Sequence, residues 1–153
     1  MFEKFLQFTH GERPNDLSPV KEVYIIEAEA RTKLTFPSEL KEFYREIGSG
    51  FFCKGVKDIV PPKYLINCIL DPITIADLVC DKDDARRPYG GFDHGTIPVF
   101  DMGDRDYLIM NTTAENPNQV LWQSGRLMMD SFENFMNRLY EHADFFANGP
   151  GTY

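Results

Sequence analysis

Leu40, Phe43, Tyr44 and Ile47 recur at i, i+3, i+4 and i+7, with Lys41, Glu42, Arg45 and Glu46 between them. That spacing lines the apolar side chains along one stripe of an α-helix and the charges along the other. Phe36-Pro37-Ser38-Glu39 supplies a start, and Gly48-Ser49-Gly50 a stop, since glycine accepts the left-handed cap. A preceding helix is predicted over 19–31, with Ser18-Pro19 as cap and first residue and Val20, Val23, Ile26, Glu27 and Ala30 spaced by threes and fours. Asp71-Pro72 repeats the cap-then-proline signature before a short helix over 73–80. The last helix opens at the capping-box pattern Asp130-Ser131-Phe132-Glu133. It carries Phe132, Phe135, Met136, Leu139, Tyr140, Ala143 and Phe146 on one face. At the N-terminus, Phe2, Phe5 and Leu6 have helical spacing that Gly11 and Pro14 cut short, so 1–17 reads as a short helix or a packed arm.

The strand signals lie between these helices. Phe51-Phe52-Cys53 follows the glycine stop, and 64–70 is a second apolar run. Strands over 96–100, 105–111, 119–122 and 126–129 come next, joined by the turn formers Asp101-Met102-Gly103-Asp104, Asn116-Pro117-Asn118 and Gly125. The stretch 81–95 mixes charges with Gly90-Gly91 and reads as an exposed loop, and 147–153 as a frayed tail. Helices first, strands in the middle and a helix last predict an α+β fold. An antiparallel meander would carry the N-terminal helices and the C-terminal helix on its apolar face, with the other face open to water. No repeat or linker divides the 153 residues, which suit one domain over 1–153 with its core in about 18–146.

Composition sharpens this. Thirteen Phe, seven Tyr and one Trp bring enough ring area for a core without staples. The formal charge of −8 argues against direct nucleic-acid binding, which needs clustered Lys and Arg, and against an anionic membrane surface. It is compatible with a basic protein partner, or more simply serves to keep the chain soluble. Cys53, Cys68 and Cys80 are odd in number and form no C-x-x-C pair, and Cys68 and Cys80 sit in apolar runs as small buried hydrophobes. The N-terminus is too charged for a signal peptide, and no run reaches membrane-spanning length, so a reducing cytoplasmic setting is expected.

Catalytic and metal motifs are missing from the sequence. His10, His94 and His142 have no paired spacing, no G-x-S-x-G or Gly-Lys-Ser/Thr loop occurs, and no cofactor or metal is expected. A Cys80–His94 pair is weaker than a plain thiol and a surface imidazole. Two acidic clusters stand out: Asp81, Asp83 and Asp84 at the start of the loop, and Asp101, Asp104 and Asp106 around one turn. Their spacing does not match a calcium loop. They read either as turn formers or as a negative surface for a basic partner, with Tyr89 and Phe92 as aromatic anchors.

Taken in order, several of these pieces resemble one family. Leu34-Thr35-Phe36-Pro37-Ser38-Glu39-Leu40-Lys41-Glu42-Phe43-Tyr44 runs to Gly48-Ser49-Gly50-Phe51-Phe52. Ile97-Pro98-Val99-Phe100 precedes Gly103-Asp104 and Tyr107-Leu108-Ile109, and Val120-Leu121-Trp122 precedes Ser131-Phe132-Glu133-Asn134-Phe135. This succession is similar to the SUKH superfamily, the homology group of the fungal cell-wall synthesis regulator and of many bacterial immunity proteins. The resemblance spans about 18–146. Arg105-Asp106 replaces a more glycine-rich hairpin, and 81–95 matches no part of the family pattern. It implies a non-enzymatic binding scaffold: either an immunity protein that occludes a cognate toxin, such as a nuclease or deaminase, or a regulatory scaffold with a cellular protein partner. An enzyme with polar groups converging in a deep pocket is the remaining alternative.

Overall fold

A computed structural model describes residues 1–61 and 65–147. Its elements are a 3-10 helix at Glu3–Phe8, then β1 (Asn15–Ser18), α1 (Glu22–Thr32), α2 (Ser38–Glu46), β2 (Ser49–Phe52), β3 (Cys68–Ile69), α3 (Pro72–Cys80), β4 (Thr96–Gly103), β5 (Asp106–Asn111), β6 (Val120–Leu121), β7 (Leu127–Met129) and α4 (Phe132–Glu141). The strands form one antiparallel meander in sequence order, β1 to β7, so the fold is α+β as expected.

The register sorts side chains into two rows, because neighbours along a strand point to opposite faces. Leu17, Gly50, Ile69, Phe100 and Leu108 lie opposite one another across five strands. The side chains of this row are buried, and Phe100 meets Phe135 of α4 edge to face at 5.2 Å. Asp16, Phe51, Cys68, Asp101 and Tyr107 form the row on the other face. That face is not simply open to water. Tyr107 is buried, because Phe92 packs on its ring at 5.9 Å and its hydroxyl donates to Arg86 O at 2.7 Å. The 81–95 segment therefore roofs the outer face at β5.

β1 is an element that the Ser18-Pro19 signature concealed. Ser18 pairs with Ser49 rather than capping a helix, and α1 starts later, after Lys21, which makes no side-chain cap bond. The approach of β1 explains the glycines after α2. A Cβ at Gly50 would fall 2.2 Å from Asp16 O, and one at Gly48 would fall 1.8 Å from Ser18 O. The face of α1 also differs from expectation. Ile25 and Ala28 are buried, while Val23 and Ile26 are 58% and 60% exposed. The stripe Val23, Ile26 and Ala30 faces solvent, since α1 touches the rest of the fold mainly through α3.

Helix starts use partners near and far. Asp71 caps α3 through Thr74 N at 2.9 Å, and Ser131 caps α4 through Asn134 N at 3.0 Å. In α4 the cap is thus Ser131, with Asn134 where a capping box has Glu. The start of α2 is served from a distance, since Glu39 N donates to Asn118 Oδ1 at 3.1 Å. Glu39 in turn accepts from Glu133 N at 3.3 Å in the first turn of α4.

Two expected elements are shorter. Of the run 64–70, only Cys68–Ile69 pairs as strand, and residue 64 lies outside the described residues. Asn67 breaks the run, with φ of 44° and its amide spanning Phe52 O at 3.1 Å and Ala143 O at 2.7 Å. α4 ends at Glu141, although Ala143, Phe145 and Phe146 remain buried. Val56 N and Lys57 N donate to Tyr140 O and Glu141 O at 2.8 and 3.0 Å, taking carbonyls that further helix would have used. The Asp58 carboxylate ties this junction, accepting from Gly55 N and Ala143 N at 2.8 Å each and lying 3.0 Å from His142 Nδ1. Burial pushes the Asp58 carboxyl up, but the bonds from Ala143, His142 and Gly55 outweigh it and hold the group below its ordinary range.

The N-terminal segment is both a short helix and a packed arm. Phe2 and Phe5 are fully buried and meet Phe43 edge to face at 5.1 and 5.6 Å, while Leu6 is exposed. Such ring pairs contribute about 0.5–1.5 kcal/mol each beyond area burial. The expected tail over 148–153 lies outside the described residues.

Candidate partner-binding surface

The connection from α3 to β4 carries residues 81–95 past the β4–β5 turn. Two hydrogen-bonded clasps set its path. Asp84 receives Arg86 Nε at 3.0 Å and Nη2 at 2.6 Å, one on each carboxylate oxygen, and also Arg86 N at 2.9 Å. Tyr107 then holds Arg86 by its carbonyl. The guanidinium beside it holds the Asp84 carboxyl down at about 2. Burial pushes the Tyr107 hydroxyl up to about 12, with the Asp101 charge adding to it. A weaker chain of charge runs back to the helices: Arg86 Nη2 lies 3.9 Å from Asp77, and Asp77 pairs with Arg31 at 2.7 Å.

The β4–β5 turn has an unusual occupant. Asp104 and Arg105 take φ of 53° and 61°, both left-handed, as a two-residue type I′ hairpin demands. Glycine commonly holds the second of these positions, but here Arg105 does, and its guanidinium carbon lies 5.4 Å from the centre of the Tyr89 ring. Tyr89 is otherwise bare, 93% exposed. The pair stands between two open hollows. One, of about 740 Å³, is lined by Pro88, Tyr89, residues 102–106, Gln123 and Ser124. The other, of about 520 Å³, is lined by Lys82, residues 84 and 85, residues 87–91 and Arg105.

The structure thus brings Asp84, Tyr89, Asp104 and Asp106 together. Asp104 and Asp106 are exposed, while Asp84 is committed to Arg86. Asp81 and Asp83 are exposed but line neither hollow. Phe92 and Asp101 are turned to packing: Phe92 lies on Tyr107, and Asp101 accepts from Gly103 N at 2.7 Å while burial pushes its carboxyl up. The residues that sequence reading missed are Lys82, Arg86, Arg87, Arg105 and Tyr107. Local sequence offers no means of telling which of Arg86 and Arg87 is spent on Asp84. Arg105 carried one faint signal, as a non-glycine residue following Gly103-Asp104 in a hairpin turn.

The thiols are placed quietly. Cys80 is exposed at the end of α3, not buried as expected, and its Sγ lies 3.5 Å from Arg31 O. Cys53 and Cys68 are half-buried, and burial pushes the Cys68 thiol up to about 12. Among the described residues no group of three or more His, Cys, Asp or Glu is placed to hold a metal, and no helix is long and apolar enough to cross a membrane.

The chain is 25% identical over 146 residues to "Immunity protein YxxD" of Bacillus subtilis (strain 168), covering 92% of this chain and 94% of that relative. No solved structure matches it. The model of the SMI1 / KNR4 family (SUKH-1) matches residues 19–138, from just before α1 into α4. With the ordered succession of Pro-started helix, glycine stop, β4–β5 hairpin and closing helix all in place over that span, the chain belongs to the SMI1 / KNR4 family (SUKH-1).

Proposed function

We propose that this chain is an immunity protein that binds a toxin domain in the cytoplasm and neutralises it by occlusion, with no chemistry of its own. The observation that carries the reading is the match to a relative named as an immunity protein, which covers 92% of this chain and 94% of that relative. The geometry supports it. A rigid sheet carries one irregular segment, held by Arg86 and Tyr107, that offers an exposed aromatic ring and unpaired charges, the anatomy of a binding hot spot. Burial pushes the Cys53 and Cys68 thiols up, which disfavours the nucleophilic thiolate at both.

In this reading the docking face comprises Tyr89, Asp104 and Asp106, with Asp81 and Asp83 at its margin and Asp84, Phe92 and Asp101 supporting it from beneath. The acidic members suit a toxin with a basic face, such as a nuclease or deaminase. The test is co-expression with the toxin domain encoded beside its gene. Growth should be restored and the two proteins should co-purify as a stoichiometric complex. Failure to bind or neutralise any encoded toxin candidate overturns the reading.

A further inference from the structure

We propose that the hollow formed by Lys82, Arg87, Tyr89, Gly91 and Arg105 receives an acidic side chain of the protein partner, while Asp104 and Asp106 on the other side of Tyr89 meet a basic one. This rests on the reading above and adds to it the partner's charge pattern, acidic beside basic.

The first ground is local charge. In a chain of net charge −8, this hollow is lined by Lys82, Arg87 and Arg105 against one carboxylate, Asp84. Both oxygens of Asp84 are taken by Arg86. Lys82, Arg87 and Arg105 have no ion-pair partner among the described residues, although the chain has 24 acidic residues to supply one. A carboxylate entering here meets three cations and no free anion.

The second ground is placement. The Arg87 guanidinium lies against the backbone of Gly91, where an added Cβ would fall 2.3 Å from Arg87 Nη2. Arg105 is set by the left-handed turn and by the Tyr89 ring. Arginines already held in place lose little freedom on binding, and a planar guanidinium matches a carboxylate through two parallel hydrogen bonds. A covering partner would exclude water and strengthen the contact.

The third ground selects the kind of partner. A phosphate backbone would also seek the cations, but Asp104 and Asp106 line the adjoining hollow and would repel its next charges. Opposite signs across an exposed aromatic ridge fit a protein surface of mixed charge, and they reject partners of the wrong pattern by like-charge contact.

The experiment has two arms. In the first, the full chain, labelled with ¹⁵N, is titrated in separate experiments with the peptide Ac-Gly-Glu-Asp-Gly-NH₂, inorganic phosphate and a single-stranded DNA 12-mer. The amides of Arg87, Tyr89, Gly90 and Gly91 should shift with the peptide, and Lys82→Glu/Arg87→Glu should lose at least about tenfold of that affinity. Lys82→Glu alone, at an exposed side chain, provides a folded variant if the double one unfolds, and it should weaken binding in the same direction. Absence of shifts around the hollow, or tighter binding of phosphate or DNA than of peptide, overturns the proposal.

In the second arm the same variants are co-expressed with the toxin encoded beside the gene. Protection by the wild type and its loss in the variants supports the proposal. If wild type and variants protect equally, the hollow has no such role and the immunity reading stands. If the wild type fails to protect, the immunity reading falls, and the peptide titration alone decides the hollow.

Discussion

Two irregular segments of this molecule use charge in opposite ways. At the junction of residues 55–58 with the end of α4, the charged side chains are spent on the fold: Asp58 takes Gly55 N, Ala143 N and the His142 ring, and Lys57 pairs with Glu141 at 3.2 Å. In residues 82–91, the Asp84–Arg86 pair and the Tyr107 hydroxyl on Arg86 O fix the path of the chain, while Lys82 and Arg87 have no ion-pair partner among the described residues and Tyr89 is exposed. Both look alike in sequence, as charged stretches punctuated by glycine. The difference lies in what packs against them. A helix end presents carbonyls and N–H groups that must be satisfied, so the first segment is consumed in capping. The second crosses a sheet face whose backbone is already paired, so Asp84, Arg86 and Phe92 suffice to hold it and Lys82 and Tyr89 stay exposed.

The sharpest way to break this contrast is Asp58→Ala. It removes the acceptor of two backbone N–H groups at part-buried positions. At about 1–3 kcal/mol for each group left unpaired, stability should fall by about 3 kcal/mol, read as a lower urea midpoint with unchanged slope. Toxin binding by the remaining folded protein should be unaffected. A loss smaller than about 0.5 kcal/mol would mean that the junction is not held by this carboxylate.

Tyr89→Ala is the mirror experiment. The ring is 93% exposed, so stability should stay within about 0.5 kcal/mol. Binding should weaken by about 2 kcal/mol, the scale of an aromatic hot spot, as measured by calorimetry against the toxin. If both segments cost stability and neither costs binding, the division of labour is wrong.

Acid should reveal a carboxylate in the loop that serves the fold. The Asp84 carboxyl, held by the Arg86 guanidinium, sits at about 2 against an ordinary 3.8. A depressed carboxyl stabilises the folded state fully above its unfolded value, and that contribution disappears as pH falls through the folded value. The urea midpoint of the wild type should therefore exceed that of Asp84→Asn by a constant margin above about pH 5. The margin should shrink as pH falls and close towards about pH 1. The pair is near the surface, so the margin should be about 1 kcal/mol or less. A margin that widens on acidification would contradict the assignment.

What the sequence revealed and what it hid follow the same division. α2, α3 and α4 were legible because their caps and stripes lie within one short window: Asp71-Pro72, Ser131, and Leu40 with Phe43 and Tyr44. The meander from β4 to β7 was legible through its turn residues. β1 was hidden, because a four-residue strand that relies on Gly48 and Gly50 for its approach has no periodicity of its own. The buried face of α1 was misjudged for a related reason. Apolar residues occur around much of that helix, and the choice between Ile25 and Ile26 is made by α3, far along the chain. The family was legible from the order of local motifs. In the binding surface, the acidic residues and Tyr89 were visible as types. Their fates were not, since Asp84 is neutralised two residues away and Arg105 reaches Tyr89 only once the hairpin and loop have met.

The smallest expected effect tests whether the acidic charges of the β4–β5 hairpin act before contact or after it. Asp104 and Asp106 are exposed at the lip of the larger hollow, where water and salt screen them. Rim charges of this kind steer encounter more than they hold a complex together. Asp104→Asn and Asp106→Asn should each slow association with a basic toxin by about threefold at low ionic strength and by less at high salt, with dissociation unchanged, as read by stopped flow. An effect confined to dissociation would show that the partner buries these carboxylates in direct contact. They would then rank with the hot-spot role proposed for Tyr89, and the β4–β5 hairpin would resemble the Asp58 junction in committing its charges to fixed partners, with the partner supplied by another chain.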